Sequence, residues 1–226
     1  IGGGPIGLAF ALAAHAQGRH VAVLEANIGA ASDTRTLALA AGSRLILGDL
    51  GAWPSDLPAT PINTIHVTQR GGFGQSILHS REFDVPALGY TLSYRALVIA
   101  LLAQAERNQL EITDGATVNH VATTADEGVV QYVRNGIEQM CCAKLIVVAD
   151  GGRSLTQLPS IKIEEKDYGQ VALLARVSSD RPHCNIAYER FTPTGPVALL
   201  PVGDEFGLVW TVSPQEAERI KALSDD

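Results

Sequence analysis

"IGGGPIGLAFALAAHAQGRHVAVLE", residues 1–25, is the stretch on which the fold turns. Gly2, Gly4 and Gly7 fit the spacing G-x-G-x-x-G. In that pattern the first glycine allows a tight turn, the second lets a pyrophosphate approach the backbone, and the third lets a helix pack closely on a strand. Pro5 stands where a first helical turn tolerates proline and Gly18 where a helix stops, which predicts a helix over residues 5–17. "HVAVLE" (20–25) then reads as a short buried strand ending on a carboxylate, so the opening is a βαβ unit lacking most of its first strand. Ile1 falls where the last residue of that strand belongs and is not an initiator methionine, so the sequence is expected to be trimmed at its front. The helix N-terminus offers amide donors and partial positive charge to phosphates. Glu25, 23 residues after Gly2, is placed to accept hydrogen bonds from ribose hydroxyls. FAD and NAD(P) both use such a unit, and the glycines do not choose between them.

Further along, "TRTLALAAGSRLILGDL" (34–50) reads as a second helix, broken by the prolines of "GAWPSDLPATP". Residues 63–83 alternate around a Gly-Gly turn and suggest a hairpin. A third helix is expected over 93–108, with Ser93 as N-cap. Three short β runs follow between 111 and 148, the middle pair joined by Asn135-Gly136, a strong hairpin signal. They read as an antiparallel meander inserted before a buried strand, "KLIVVA", which runs into Asp150-Gly151. Residues 168–178 and 186–212 are β-rich, with turns at 192–196 and 203–207.

Composition narrows the function classes. Seventeen basic against 24 acidic residues, a net charge of −7, disfavour a binder of nucleic-acid backbones. Three cysteines, Cys141, Cys142 and Cys184, make neither a disulfide framework nor a metal-ligand spacing, which fits a reducing compartment and predicts no metal. No apolar run reaches the roughly 18 to 20 residues of a membrane span. The expectation is a cytoplasmic protein.

With the glycine fingerprint, the later Asp150-Gly151 and the stretches "DTRTLALAAGSRLILGDLGAW" (33–53) and "AYERFTPTGPVALLPV" (187–202), the chain resembles the flavin-dependent aromatic hydroxylases of the p-hydroxybenzoate hydroxylase superfamily. Its likeness is to the ubiquinone-biosynthesis branch, the 2-polyprenyl-6-methoxyphenol hydroxylases, and it runs over almost all of the chain. The resemblance implies an α/β fold: a Rossmann-like FAD-binding domain of the glutathione-reductase type, from residues 1–60 and 88–158, and a mostly antiparallel β-sheet substrate domain from 61–87 and 159–226. It implies FAD as cofactor and NAD(P)H as co-substrate, with oxygen delivered to an electron-rich phenol through a C4a-hydroperoxyflavin. Gly2, Gly4, Gly7 and Glu25 match positions that hold the pyrophosphate and adenosine ribose. Arg35 matches an arginine approaching the cofactor, Arg95 a polar position on the flavin side, and Asp150 and Gly151 the Asp-Gly motif that serves FAD and transient NAD(P)H. The family's third motif, a Gly-Asp before a helix, does not occur; Gly203-Asp204 lacks the helical sequence after it. The stretch in hand thus has the adenosine half of the site without the wall around the isoalloxazine, and is expected to be inactive by itself.

The implied substrate is a polyprenylated methoxyphenol, whose tail calls for an apolar channel. Other ubiquinone-biosynthesis proteins as partners and peripheral contact with the inner membrane would suit it. No catalytic residue is singled out, since the flavin carries the difficult chemistry. Three other readings stay open: a flavin hydroxylase of a soluble phenol, a nicotinamide-dependent dehydrogenase, and a non-catalytic scaffold. Simpler roles stand beside the implied ones. Arg35 could pair with Asp33 and Arg95 sit on a helix surface; His66 and His79 read as exposed strand residues, and Trp53, Trp210, Tyr188, Arg190 and Phe191 as packing.

Overall fold

A computed structural model describes residues 1–27, 33, 35–157 and 161–223. In chain order the elements are α1 (Pro5–Ala16), β1 (Ala22–Glu25), β2 (Thr36–Ala40), α2 (Ala41–Asp49), β3 (Thr60–Ile62), β4 (Thr64–Gln69), β5 (Gln75–His79), β6 (Gly89–Ser93), α3 (Tyr94–Arg107), β7 (Glu111–Asp114), β8 (Thr117–Thr123), β9 (Gly128–Arg134), β10 (Ile137–Ala143), β11 (Val171–Val177), β12 (Ile186–Phe191), β13 (Val197–Val202), β14 (Glu205–Val212) and α4 (Pro214–Lys221). They form two units, each discontinuous in sequence: residues 1–33, 47–55 and 95–165, and residues 34–46, 56–94 and 166–226. Helix α2 begins in the second unit and ends in the first.

In the first unit β1 and β7 pair in parallel, Ala22 with Glu111 through Glu25 with Asp114. Residues 1–2 extend this pair. Gly2 N donates to Leu24 O (2.8 Å), Ile1 N to Val147 O (2.7 Å) and Ala149 N to Ile1 O (2.7 Å). The spatial order is therefore 147–149, 1–2, β1, β7, a parallel arrangement with the glycine turn at the C-terminal end of the short opening segment. Leu8 and Leu12 of α1, Val23 and Leu24 of β1, and Leu97 and Leu101 of α3 are buried. The meander β8–β9–β10 closes over Leu24 with Ala116, Val130 and Tyr132.

The second unit contains a six-stranded sheet, β11-β14-β13-β12-β4-β5, antiparallel except where β12 runs parallel to β4, and a three-stranded sheet, β2-β6-β3. Thr91 of β6 is fully buried, and its hydroxyl donates to the carbonyl of Pro201 on β13. Gly203 N reaches Thr60 Oγ1 at 2.8 Å, tying the β13–β14 turn to β3.

Three sequence expectations are corrected. Residues 34–50 are not one helix: Thr34 lies outside the described residues, and Thr36–Ala40 is a strand paired antiparallel with β6, the helix starting only at Ala41. Leu37 and Leu39 alternate with Ala38 and Ala40, a pattern short enough to suit helix or strand, and the partner strand some 50 residues later decides it. The run 111–123 is two strands, because Gly115 at φ +72° breaks it and sends β7 to β1 and β8 to the meander. "KLIVVA" is not a buried strand throughout, since Leu145 is 71% exposed and the ordered pairing is the two bonds to Ile1. The hairpin of β4 and β5, α3 and the Asn135-Gly136 turn, with φ +52° and +76°, stand where the sequence placed them. Pairing with β6 places residues 36–40 and 60–62 in the second unit.

Candidate functional site

The glycine turn is built by close approach. Gly2 adopts φ +97°, which side chains rarely tolerate, and a Cβ there would lie 2.5 Å from the carbonyl oxygen of Ala149. A Cβ on Gly7 would fall onto the carbonyl oxygen of Gly2, so the first turn of α1 sits directly against the loop. Gly4 is the N-cap of α1, extended at φ −73° and ψ 178°. No side chain caps this helix, Pro5 has no N–H, and the first turn holds no acidic residue. Its amide donors are left for water or an anion.

Glu25 completes the turn. Its carboxylate is directed into the loop, accepting Gly3 N on Oε2 (2.5 Å) and Asn27 N (2.8 Å) and Nδ2 (2.7 Å) on Oε1. Gly3 makes this possible, because a Cβ there would stand 3.0–3.2 Å from the Glu25 side chain. Gly3 and Asn27 were not singled out in the sequence. The signal was present in the third consecutive glycine and in an amide two residues beyond the strand-ending carboxylate.

The Asp-Gly segment arrives beside the loop through Ala149, whose neighbour Asp150 offers its N 2.8 Å from the Cβ position of Gly2. The Asp150 carboxylate is turned onto its own chain: Oδ1 accepts Gly152 N (3.0 Å), and Oδ2 accepts Ser154 N (2.8 Å) and Ser154 Oγ (2.6 Å). Burial acts to raise its pKa, but the Ser154 hydroxyl and the Ser154 and Gly152 amides outweigh it and hold the carboxyl below the ordinary value. Asp150 is therefore an anion that shapes the turn, with Gly151 at φ +76° and its Cβ position open. Ser154, 3% exposed, is a residue the motif alone did not mark.

The structure brings Gly2, Gly4, Gly7, Glu25, Asp150 and Gly151 together. Arg95 opens α3 in the same unit with an exposed side chain; its N donates to Asp33 O (3.1 Å), and among the described residues no bond ties it to the glycine turn. Arg35 belongs to the second unit, its guanidinium 5.4 Å from the centre of the Tyr94 ring. His66 is half-buried against Tyr188 (5.7 Å between rings) and near Gln75 (3.0 Å), and His79 Nδ1 lies 3.0 Å from Thr64 Oγ1, contacts of sheet packing. Burial, then Cys142, raises the Cys141 pKa, which keeps it a neutral thiol. Among the described residues no His, Cys, Asp or Glu cluster suits a metal ion, and no helix is long and apolar enough to cross a membrane.

A turn with no room for side chains at Gly2 and Gly7, an uncapped helix start and a carboxylate folded beneath them suit a diphosphate joined to a ribose, the ADP portion of a dinucleotide. The FAD binding domain family matches residues 1–226. The chain is similar to ubiquinone hydroxylase UbiL of Rhodospirillum rubrum, 33% identical over 93% of this chain and 50% of the relative. It is also similar to 3-demethoxyubiquinol 3-hydroxylase of Escherichia coli, 28% identical over 99% of this chain and 59% of the relative. Its fold matches p-nitrophenol 4-monooxygenase PnpA of Pseudomonas putida at a TM-score of 0.79, with 17% identity, over 97% of this chain and 59% of that one. The chain thus spans about half the length of the curated relatives it matches.

Proposed function

Because the chain belongs to the FAD binding domain family, with FAD as its cofactor, we propose that it acts in a flavin-dependent monooxygenase of ubiquinone biosynthesis that hydroxylates a polyprenylated methoxyphenol using NAD(P)H and O2. The observation that carries this reading is the Glu25 carboxylate folded into the glycine turn, in a chain whose relatives include two ubiquinone-pathway hydroxylases. FAD supplies the redox and oxygen-transfer chemistry when bound. The chain's own part is to bind and orient. Gly2, Gly4 and Gly7 with the start of α1 take the diphosphate, Glu25 takes the adenosine ribose, and Asp150 holds the turn that presents Gly151. Arg95, in the same unit, supplies a cationic contact to the same cofactor. The first unit carries the cofactor's ADP end, and the six-stranded sheet of the second receives the phenol. Its prenyl tail brings the protein to the membrane surface, where other enzymes of the pathway act on the same lipid.

Product formation from prenylated and unprenylated phenols by the full-length protein tests the proposal. Faster turnover of the prenylated phenol is expected. Preference for the short, water-soluble phenol would replace the substrate assignment, and a purified full-length protein without flavin absorbance that cannot take up FAD would overturn the class.

A further inference from the structure

A glutamate carboxylate has about four acceptor positions, two on each oxygen. The described residues fill three of those of Glu25. Among the described residues, Oε1 holds both Asn27 N (2.8 Å) and Asn27 Nδ2 (2.7 Å), while Oε2 holds only Gly3 N (2.5 Å). The open position is therefore on Oε2, the oxygen turned towards the glycine loop. We propose that Asn27 is a positioning residue which commits Oε1 to the protein and leaves Oε2 as the single acceptor, so that the site grips one of the two neighbouring hydroxyls of the cofactor's adenosine ribose and not both. The inference rests on the reading of Glu25 as the ribose acceptor.

Two donors from one residue fix the plane of the carboxylate as well as occupying it. The backbone N–H of Asn27 sets Oε1 beside the end of β1, and the side-chain amide closes the second lone pair. Gly3 holds the opposite oxygen from the loop side, with no Cβ to push the carboxylate away. Removing the Asn27 amide leaves the backbone bond in place but reopens a position on Oε1, so a second hydroxyl can be accepted. Asn27 is exposed, so its replacement leaves no cavity.

The test is displacement of FAD from the full-length protein by ADP, 2′-deoxy-ADP and 3′-deoxy-ADP, followed by flavin fluorescence. With the natural residue, one deoxy analogue is expected to compete about tenfold less well than ADP and the other to match it, the size of one hydrogen bond to a charged group. In Asn27→Ala, and in Asn27→Leu, which keeps a similar size without charge but loses the donor, the gap between the two analogues should shrink at least about threefold. General loosening of the site would weaken all three competitors together and leave that gap intact. Equal loss on both analogues in the natural protein, or an unchanged gap in both variants, overturns the proposal. Glu25→Gln separates the two levels of inference. If it keeps the natural gap, the assignment of Glu25 to the ribose fails; if it abolishes the gap while the Asn27 variants keep it, only the role of Asn27 fails.

Discussion

Gly7 and Gly42 differ only in their surroundings, and that difference is measurable. A methyl group on Gly7 would meet the Gly2 carbonyl, so Gly7→Ala is expected to lower stability by about 1–3 kcal/mol in urea unfolding and to weaken FAD binding by displacing the turn. Gly42 lies in α2 with open space around its Cβ position, so Gly42→Ala should be neutral or stabilise by up to about 1 kcal/mol. Asp150 gives a pH signature. Its folded pKa lies below the ordinary value of about 3.9, so its charged form stabilises the fold fully above that value. The contribution then fades as the pH falls from the ordinary value through the lower folded one. Asp150→Asn should therefore be less stable than the natural protein near neutrality, and the gap between their urea midpoints should close on acidification below about pH 4. A gap that stays constant with pH would show that the Ser154 and Gly152 bonds do not depend on the charge.

At the scale of elements, local chemistry was legible where a turn or cap fixes its own geometry. Asn135-Gly136 is such a case: φ +76° at Gly136, with nothing near its Cβ position, makes the backbone itself the only obstacle to a side chain. Gly136→Ala should lower stability by about 1–2 kcal/mol, read from the thermal midpoint, through the left-handed conformation alone. Helix α4 was not foreseen, yet Pro214 at its start and the Ser213 hydroxyl accepting Glu216 N at 3.2 Å are start signals of the ordinary kind. Ser213→Ala should reduce stability by about 1 kcal/mol in denaturant titration. The strand at Thr36–Ala40 was illegible for a different reason. Its alanines and leucines satisfy a helix as well as a strand, and only the ladder to β6 chooses between them.

Over the whole molecule, the two units draw on alternating stretches of chain, and the residues of the glycine and Asp-Gly motifs all fall in the first. ADP added to the full-length protein should slow amide exchange in residues 1–8, 22–27 and 147–154 and leave β11–β14 unchanged; protection confined to the six-stranded sheet would contradict the site. The sequence by itself determined the dinucleotide turn, the carboxylate that closes it and the α/β class. Each of these rests on residues near in sequence or on glycine's freedom from a Cβ, which is a local property. Tertiary structure alone decided that Ala149 seals Gly2, that Gly3 and Asn27 saturate most of Glu25, that Asp150 turns onto Ser154, and that residues 36–40 leave the helical pattern for a sheet. Those outcomes depend on which distant segments share a hydrogen bond or a van der Waals boundary, and such partners are fixed only when the chain closes on itself.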